Sequence, residues 1–398
     1  MNFKHTTIMA MVMVFALASS AHAKSKKQKQ REKEEAAEEA RVLKLLTIKP
    51  EGKQPTIVKM GKVVEVVDNL TREPENLSSN DDGTKLVWVA GGRKEKMPLL
   101  FPVRGWHAEK IDGVWLEAEK ARRQFLHFYH GMAYGGENSE IIAVGSIARF
   151  FNIIRLYDQD FKKIDTFHPK DFGIEKNILL KHAQVSPDGK WLTFYTRGIY
   201  EKRGVMVYNL ETEKAYHLGA FDDKHPTWTP DGKKILVHFQ RGGNSSMTTE
   251  SGQEEAFIAF YNLEISGNEL VSFNRETMDD TATEYYTYQK HPSVTADGKY
   301  LFYHSKKTPF ERSHIHVRRF EPGSTEYSLR FTTMGGNEIK KSKHLTEAKK
   351  TKDIFFVGKE RKTQTEKDAK KEVEKFDAIY QVPDARITEL FESLTRNR

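Results

Sequence analysis

The chain has 398 residues, of which 38% are hydrophobic and 30% are charged, and its formal net charge is +8. This composition lies within the range of soluble folded proteins. The chain has no cysteine, which excludes disulfides, thiolate metal sites, a cysteine nucleophile and lipid attachment to an N-terminal cysteine.

The first residues have the organisation of a secretory signal peptide. Residues 4–5 are polar, residues 8–17 form an apolar core that is too short to span a bilayer comfortably, and Ala21 and Ala23 fit the small-x-small cleavage pattern. We therefore expect residues 1–23 to be removed on export, with a retained anchor as the alternative. The periplasm of a Gram-negative bacterium is the expected location, and secretion beyond it is the second choice.

A charged segment follows the signal peptide. Residues 24–52 begin with basic and polar residues, and from Glu32 onward the composition favours helix. The segment offers little apolar surface to bury, so we expect a charged, partly helical arm. It is either a solvated spacer or a basic arm that contacts an acidic partner, a membrane or a wall polymer.

A repeat occupies the rest of the chain. Its three clearest copies are HAQVSPDGKWLTFY (182–195), HPTWTPDGKKILVH (225–238) and HPSVTADGKYLFYH (291–304). Each opens on a histidine, and each has an Asp-Gly-Lys turn followed by an alternating strand rich in β-formers. Because glycine tolerates the positive φ of a tight turn, we interpret Asp188, Asp231 and Asp297 as turn residues and not as catalytic acids.

Three weaker copies extend the pattern to residues 76–90, 130–145 and 344–358. A third and a fourth strand can be traced after most copies, and residues 99–103 and 113–119 are the candidates in the first unit. The sequence therefore predicts an all-β fold over residues 53–398, a six-bladed β-propeller of four-stranded blades. Residues 56–58 or 63–67 could pair with the last blade and close the ring.

The units HPTWTPDGKKI and HAQVSPDGKWL resemble the repeats of TolB-like β-propellers. The resemblance covers about residues 70–398 and is strongest from 180 to 305. It implies a propeller, but propellers of this kind serve as scaffolds, sensors, peptidase caps and polysaccharide lyases, so it does not imply one function. The TolB pattern places an α/β domain before the propeller, and too few residues precede the first unit here for such a domain.

The recurring first residue of each unit is the candidate site. Equivalent positions of different blades form a ring around the propeller axis, so we expect these residues to line the channel mouth: Asn76, His130, His182, His225, His291 and His344. Neutral imidazoles bind divalent transition metals, and His182, His225, His291 and His344 are the candidate ligands. Oligogalacturonate lyases, which resemble this propeller type, hold a divalent metal with propeller histidines. The alternative is that each histidine caps its own blade through a backbone hydrogen bond.

Other patterns are weaker. His314 and His316 lie on one face of a strand and could chelate, or could pack beside aromatic rings. The sequence has no phosphate-cradling loop, no HExxH, no GxSxG and no nucleic-acid motif. We therefore predict a monomeric scaffold that binds an envelope protein or a saccharide polymer and no nucleic acid. The alternative is a metal-dependent lyase or hydrolase that acts on an anionic saccharide through the histidine ring.

Overall fold

The computed structural model of the protein describes residues 55–67, 70, 74–90, 104–112, 114–116, 119–120, 127–148, 151–174, 178–197, 204–219, 223–240, 255–279, 287–306, 312–360 and 378–382. These residues form 25 β-strands and one short 3-10 helix, Pro169–Phe172. The all-β prediction is confirmed. The described ranges contain no helix with the length and hydrophobicity of a transmembrane span. The expected signal peptide (1–23) and helical arm (24–52) lie outside the described residues.

The strands follow one another as antiparallel units, one for each copy of the repeat. Strand β1 spans Thr56–Val67. The first unit contains β2 (Pro74–Ser79), β3 (Lys85–Ala90), β4 (Arg104–Ile111), β5 (Val114–Trp115) and β6 (Glu119–Lys120), and the second contains β7 (His127–Gly135), β8 (Ile141–Ala148), β9 (Phe151–Tyr157) and β10 (Lys163–Phe167). The third contains β11 (Leu179–Val185), β12 (Trp191–Arg197), β13 (Gly204–Asn209) and β14 (Ala215–His217), and the fourth contains β15 (Lys224–Trp228), β16 (Lys234–Gln240), β17 (Ala256–Ser266) and β18 (Glu269–Thr277). The fifth contains β19 (Gln289–Val294), β20 (Tyr300–Ser305), β21 (His314–Arg319) and β22 (Tyr327–Thr333), and the last contains β23 (Ile339–Glu347), β24 (Ile354–Glu360) and β25 (Ala378–Val382).

The Asp-Gly-Lys turns join the first two strands of a unit. Between β11 and β12, Gly189 adopts a φ of 74°, and the backbone N–H of Lys190 donates to Asp188 Oδ1 at 3.1 Å. The backbone N–H groups of Lys233 and Lys299 donate in the same way to Asp231 and Asp297. A side-chain oxygen that accepts from the backbone two residues on stabilises a tight turn. The prediction that these aspartates are turn residues is therefore confirmed.

Strand β1 connects the fifth unit to the last. Its first half runs parallel to β22, from Thr56 opposite Tyr327 to Val63 opposite Thr333. Its second half runs antiparallel to β25, with Val64 opposite Gln381. The fifth and last units therefore share one eight-stranded sheet. Both candidate closing segments pair, but only the second one pairs with the last unit.

The first strands of the units lie side by side around a common centre. Strand β2 contacts β7, and the neighbour contacts continue through β11, β15, β19 and β23, which contacts β2 again. Apolar clusters fill the spaces between successive sheets, and one of them packs Trp191 of the third unit against Val237 and Tyr261 of the fourth. Each sheet thus buries both faces against its neighbours, as expected for stacked repeats.

The first unit differs in part from the prediction. The strand that pairs with β3 is β4, which begins at Arg104, whereas residues 99–103 lie outside the described residues. Strand β4 contains Arg104, Gly105, Glu109 and Lys110, so it lacks a clear alternation of apolar and polar residues. Residues 113–119 supply parts of two short strands, β5 and β6, and both pair with β4 as a divided fourth strand.

Candidate binding site at the centre of the sheets

A pocket lies where the first strands of the units meet. Its volume is about 130 Å³, and each unit contributes three consecutive residues to its lining. The described lining residues are Asn76 to Ser78, Gly131 to Ala133, His182 to Gln184, His225 to Thr227, His291 to Ser293 and His344 to Thr346. The pocket is therefore an axial feature to which every copy of the repeat contributes.

An irregularity of the first strands turns the pocket residues inward. The pairing register slips by one residue in these strands, so that two residues oppose one on the neighbouring strand, as between Lys181 and Gln184 in β11. At this point Asn76, His182, His225, His291 and His344 adopt left-handed φ values of 50° to 54°. Asparagine and histidine are among the residues that tolerate this conformation best. The recurring histidine therefore has a backbone role as well as a place in the pocket.

The histidines of successive units lie in contact. The ring centroids of His182 and His225 are 3.7 Å apart, those of His225 and His291 are 4.0 Å apart, and those of His291 and His344 are 4.4 Å apart. The channel is thus narrow enough for neighbouring imidazoles to pack on one another.

We call His182, His225, His291 and His344 the row histidines. Three rings from the second strands of the units pack beside them. His238 of β16 lies 4.7 Å from His225, and His304 of β20 lies 4.9 Å from His291. Tyr195 of β12 stacks on His182 at 5.3 Å. We call the four row histidines together with His238 and His304 the histidine cluster. Sequence reasoning missed His238 and His304, although each closes the repeat as the residue thirteen positions after its first histidine.

Burial favours the neutral form of four imidazoles in the cluster. The pKa values of His225, His238, His304 and His344 lie well below the ordinary value of 6.5, first because burial penalises the charged ring. Neighbouring histidines lower these pKa values further, since a second positive charge nearby is unfavourable. The Nδ1 atoms of His225 and His304 are buried without a hydrogen-bond partner.

A lysine precedes each histidine of the row: Lys181, Lys224, Lys290 and Lys343. Lys290 contributes to the low pKa values of both His238 and His304, and Lys343 contributes to that of His344. The ammonium group of Lys290 also lies 4.8 Å from the ring centroid of Tyr288. The recurring Lys-His pair can be read from the repeat in the sequence, although sequence reasoning did not use it. The pair places positive charge beside the pocket.

Five of the six predicted ring positions line the pocket: Asn76, His182, His225, His291 and His344. In the second unit the described lining begins at Gly131, and the side chain of His130 lies outside the described part of the chain. A Cβ atom at Gly131 would lie 3.0 Å from the Cα atom of His182, so this position accepts only glycine without displacement. Within the described ranges, no three His, Asp or Glu side chains form a group that could hold a metal ion. The metal ligands stay a prediction.

The pair His314 and His316 has a different setting. The Nδ1 atom of His316 lies 2.6 Å from Glu326 Oε1, and its Nε2 atom lies 3.0 Å from Ser328 Oγ. Both ring nitrogens of His316 thus have partners within the fifth unit, which favours the packing interpretation over chelation. In the first unit, the ring of His107 packs on that of Phe161 at a centroid distance of 4.8 Å.

Comparison with known proteins gives fold-level likeness only. No family model matches the chain, and no curated protein matches it. Among solved structures, TolB from Acinetobacter baumannii has a TM-score of 0.44 at 13% identity, over 77% of this chain and 65% of that chain. A gluconolactonase from Xanthomonas campestris has a TM-score of 0.48 at 13% identity, over 80% of this chain and 88% of that one. An oligogalacturonate lyase in complex with manganese has a TM-score of 0.41 at 14% identity, over 64% and 68%. The chain spans just under two thirds of the length of TolB.

The fold itself is established by the sheets. Antiparallel sheets of mostly four strands stack face to face, and their first strands surround one axial pocket. This is the arrangement of a β-propeller. The resemblance to TolB-like propellers is therefore confirmed at the level of the fold.

Proposed function

We propose that this chain is a six-bladed propeller of the periplasm that works as a binding scaffold for an envelope protein or saccharide polymer. The observation that carries the proposal is the axial pocket, because all six copies of the repeat contribute to it. Concave sites lined by apolar and aromatic groups with a few polar groups are the usual places for ligands. Here Pro226, Pro292 and Leu345 supply apolar surface, and the histidines supply polar atoms.

The proposal assigns the blade count and the location as well as the role. Six first strands contact one another in sequence around the pocket, with β1 completing the last unit. The signal-peptide pattern of residues 1–23 supports export. When the chain is expressed with its own leader in a Gram-negative host, we expect osmotic shock to release a protein that begins at Lys24. A protein that keeps Met1 and sediments with membranes would contradict this location.

Co-sedimentation with purified bacterial envelopes tests the scaffold. Thr227 lines the pocket, and a tryptophan at this position would fill it. We expect Thr227→Trp to lose envelope binding by at least tenfold. The matched control is Thr212→Trp, at an exposed turn of the third unit. Envelopes treated with protease beforehand distinguish the two partner classes, because only a polymer partner survives the treatment. Equal binding by both variants would refute a role for the pocket.

A metal-dependent enzyme that acts on an anionic saccharide is the second candidate. Neutral imidazoles and the unpartnered Nδ1 atoms of His225 and His304 favour it, since a neutral ring nitrogen can ligate a transition metal. Metal analysis of the purified protein decides between the two functions. Stoichiometric metal that disappears in folded His225→Ala and His291→Ala variants, together with saccharide cleavage, would support the enzyme. Metal-free protein that still binds envelopes supports the scaffold.

A further inference from the structure

The lining of the axial pocket offers donors and no negative charge. Among its described residues are imidazoles, the Asn76 amide and hydroxyl groups such as those of Thr227 and Ser293, and none is Asp or Glu. Neutral imidazole carries one N–H group, and amide and hydroxyl groups donate as well. The pocket can therefore surround a ligand with hydrogen-bond donors from several units.

Positive charge lies beside these donors. Each lining histidine follows a lysine in the chain, as His225 follows Lys224 and His291 follows Lys290. The ammonium groups of Lys290 and Lys306 lie 4.8 Å and 4.6 Å from the ring centroid of Tyr288. Two acidic residues adjoin the pocket lining in the chain. Glu75 precedes Asn76, at the position that lysine occupies before each row histidine, and Glu347 follows Thr346. Glu347 accepts a hydrogen bond from the backbone of Ala296 at 2.6 Å. Positive charge therefore predominates around the pocket.

Two buried atoms of the cluster have no partner. His304 is 6% exposed, and its Nδ1 atom makes no hydrogen bond. The Nδ1 atom of His225, whose ring lines the pocket, also makes none. A buried polar atom without a partner is unfavourable, so the Nδ1 atom of His225, in the lining itself, points to a ligand or an ordered water in the pocket. This observation is independent of the surrounding charge.

We infer that the axial pocket binds an oxyanion, namely a carboxylate or phosphate group carried by its ligand. This inference rests on the proposed function, because it names the chemical group that the scaffold would recognise. The lining groups would hold the oxyanion by hydrogen bonds, and the lysines beside the lining would favour it through their charge. A divalent metal fits the same place less well, because the neighbouring lysines repel it and the described lining has no carboxylate to neutralise it.

Small probes test the inference without an identified ligand. Full-length mature protein is titrated with sodium phosphate, with glucuronate and with glucose, while the imidazole ¹⁵N resonances are followed by NMR. Glucose and glucuronate differ in the carboxylate alone, so they form a matched pair. We expect saturable shifts in the cluster resonances with phosphate, glucuronate or both, and none with glucose. Shifts with phosphate alone assign a phosphate-bearing ligand, and shifts with glucuronate alone assign a carboxylate.

A pair of lysine variants locates the anion. Lys290→Gln removes a charge beside the cluster, whereas Lys233→Gln removes one at an exposed turn. We expect the first to weaken anion binding at least tenfold and the second to change it less than twofold. Circular dichroism verifies that both variants are folded. If one of them is not, the titration of the wild-type protein still tests whether the pocket binds an anion.

Two results would overturn the inference. One is the absence of cluster shifts with both anions at 50 millimolar, and the other is saturable binding of Zn²⁺ with no anion binding. Envelope binding that persists beside either result leaves the scaffold proposal standing. Conversely, anion binding without envelope binding would refute the scaffold and leave the oxyanion site intact.

Discussion

The histidine cluster should make the stability of the protein depend on pH near neutrality. His238 is buried, and its Nδ1 atom accepts a long hydrogen bond of 3.4 Å from the backbone N–H of His291. Its pKa lies well below 6.5, first because of burial and then because of His291 and the lysines Lys290 and Lys224. When the pH falls below 6.5, the unfolded chain takes up a proton at this residue and the folded chain does not. The free energy of unfolding therefore decreases as the pH falls through this window.

The magnitude follows from the titration of the unfolded state. A histidine that stays neutral in the fold loses about 1.4 kcal/mol of stabilisation between pH 7.5 and pH 5.5. The cluster has four histidines with such lowered pKa values, so the total loss is at most about 5.5 kcal/mol. The carboxylates Asp297 and Glu326 also have lowered pKa values, but their contribution is lost only as the pH falls below about 4.5. The window from 7.5 to 5.5 therefore isolates the histidines.

Urea unfolding followed by tryptophan fluorescence at the two pH values measures the loss. We expect His238→Gln, which keeps a hydrogen-bond acceptor but cannot be protonated, to lose about 1.4 kcal/mol less than the wild type over this window. His217→Gln is the control, because His217 is exposed on β14. If His238→Gln and the wild type lose the same stability, the reasoning about the cluster is wrong.

Further predictions concern the packing of the sheets. Trp191→Ala should destabilise the protein by about 3–5 kcal/mol, measured by urea unfolding, because it opens a cavity between the third and fourth units. Arg275→Ala should cost about 3 kcal/mol, because it leaves the buried carboxylate of Asp223 without its ion pair at 2.8 Å; adding Asp223→Asn should recover part of that loss. Val63→Asp buries a charge in β1 and should lower the melting temperature in calorimetry, whereas Ile57→Asp, at a site that is 56% exposed on the same strand, should change it little.

The repeat made the units of the fold predictable, because their turns and second strands depend on local chemistry. Asp188 and Gly189 specify a turn whatever surrounds them, and the strand from Trp191 follows from its alternating pattern. The third strand of the first unit was not predictable, since its register is set by pairing with β3 and not by its own composition.

The pocket was predictable as a ring of equivalent positions, but its contents were not. Equivalence placed His182, His225 and His291 together, and the structure brings them into ring contact. The contacts of His238 and His304 with the row histidines were not predicted. Strand alternation indicates the face of the sheet on which a residue lies, but not how closely two strands approach the axis. The left-handed backbone of the row histidines was not predicted either, because it arises from a register slip between paired strands.

The double pairing of β1 has a consequence for how the chain folds. Val64 of β1 pairs with Gln381 of β25, so this pairing, which we call the seam, joins the two ends of the described sequence. Contacts between such distant segments lose the most chain entropy on forming, and proteins rich in them fold slowly. We therefore expect the seam to form last. Until then the edge of β25 stays open to strands of other molecules, so a high concentration of newly synthesised chains should favour aggregation there.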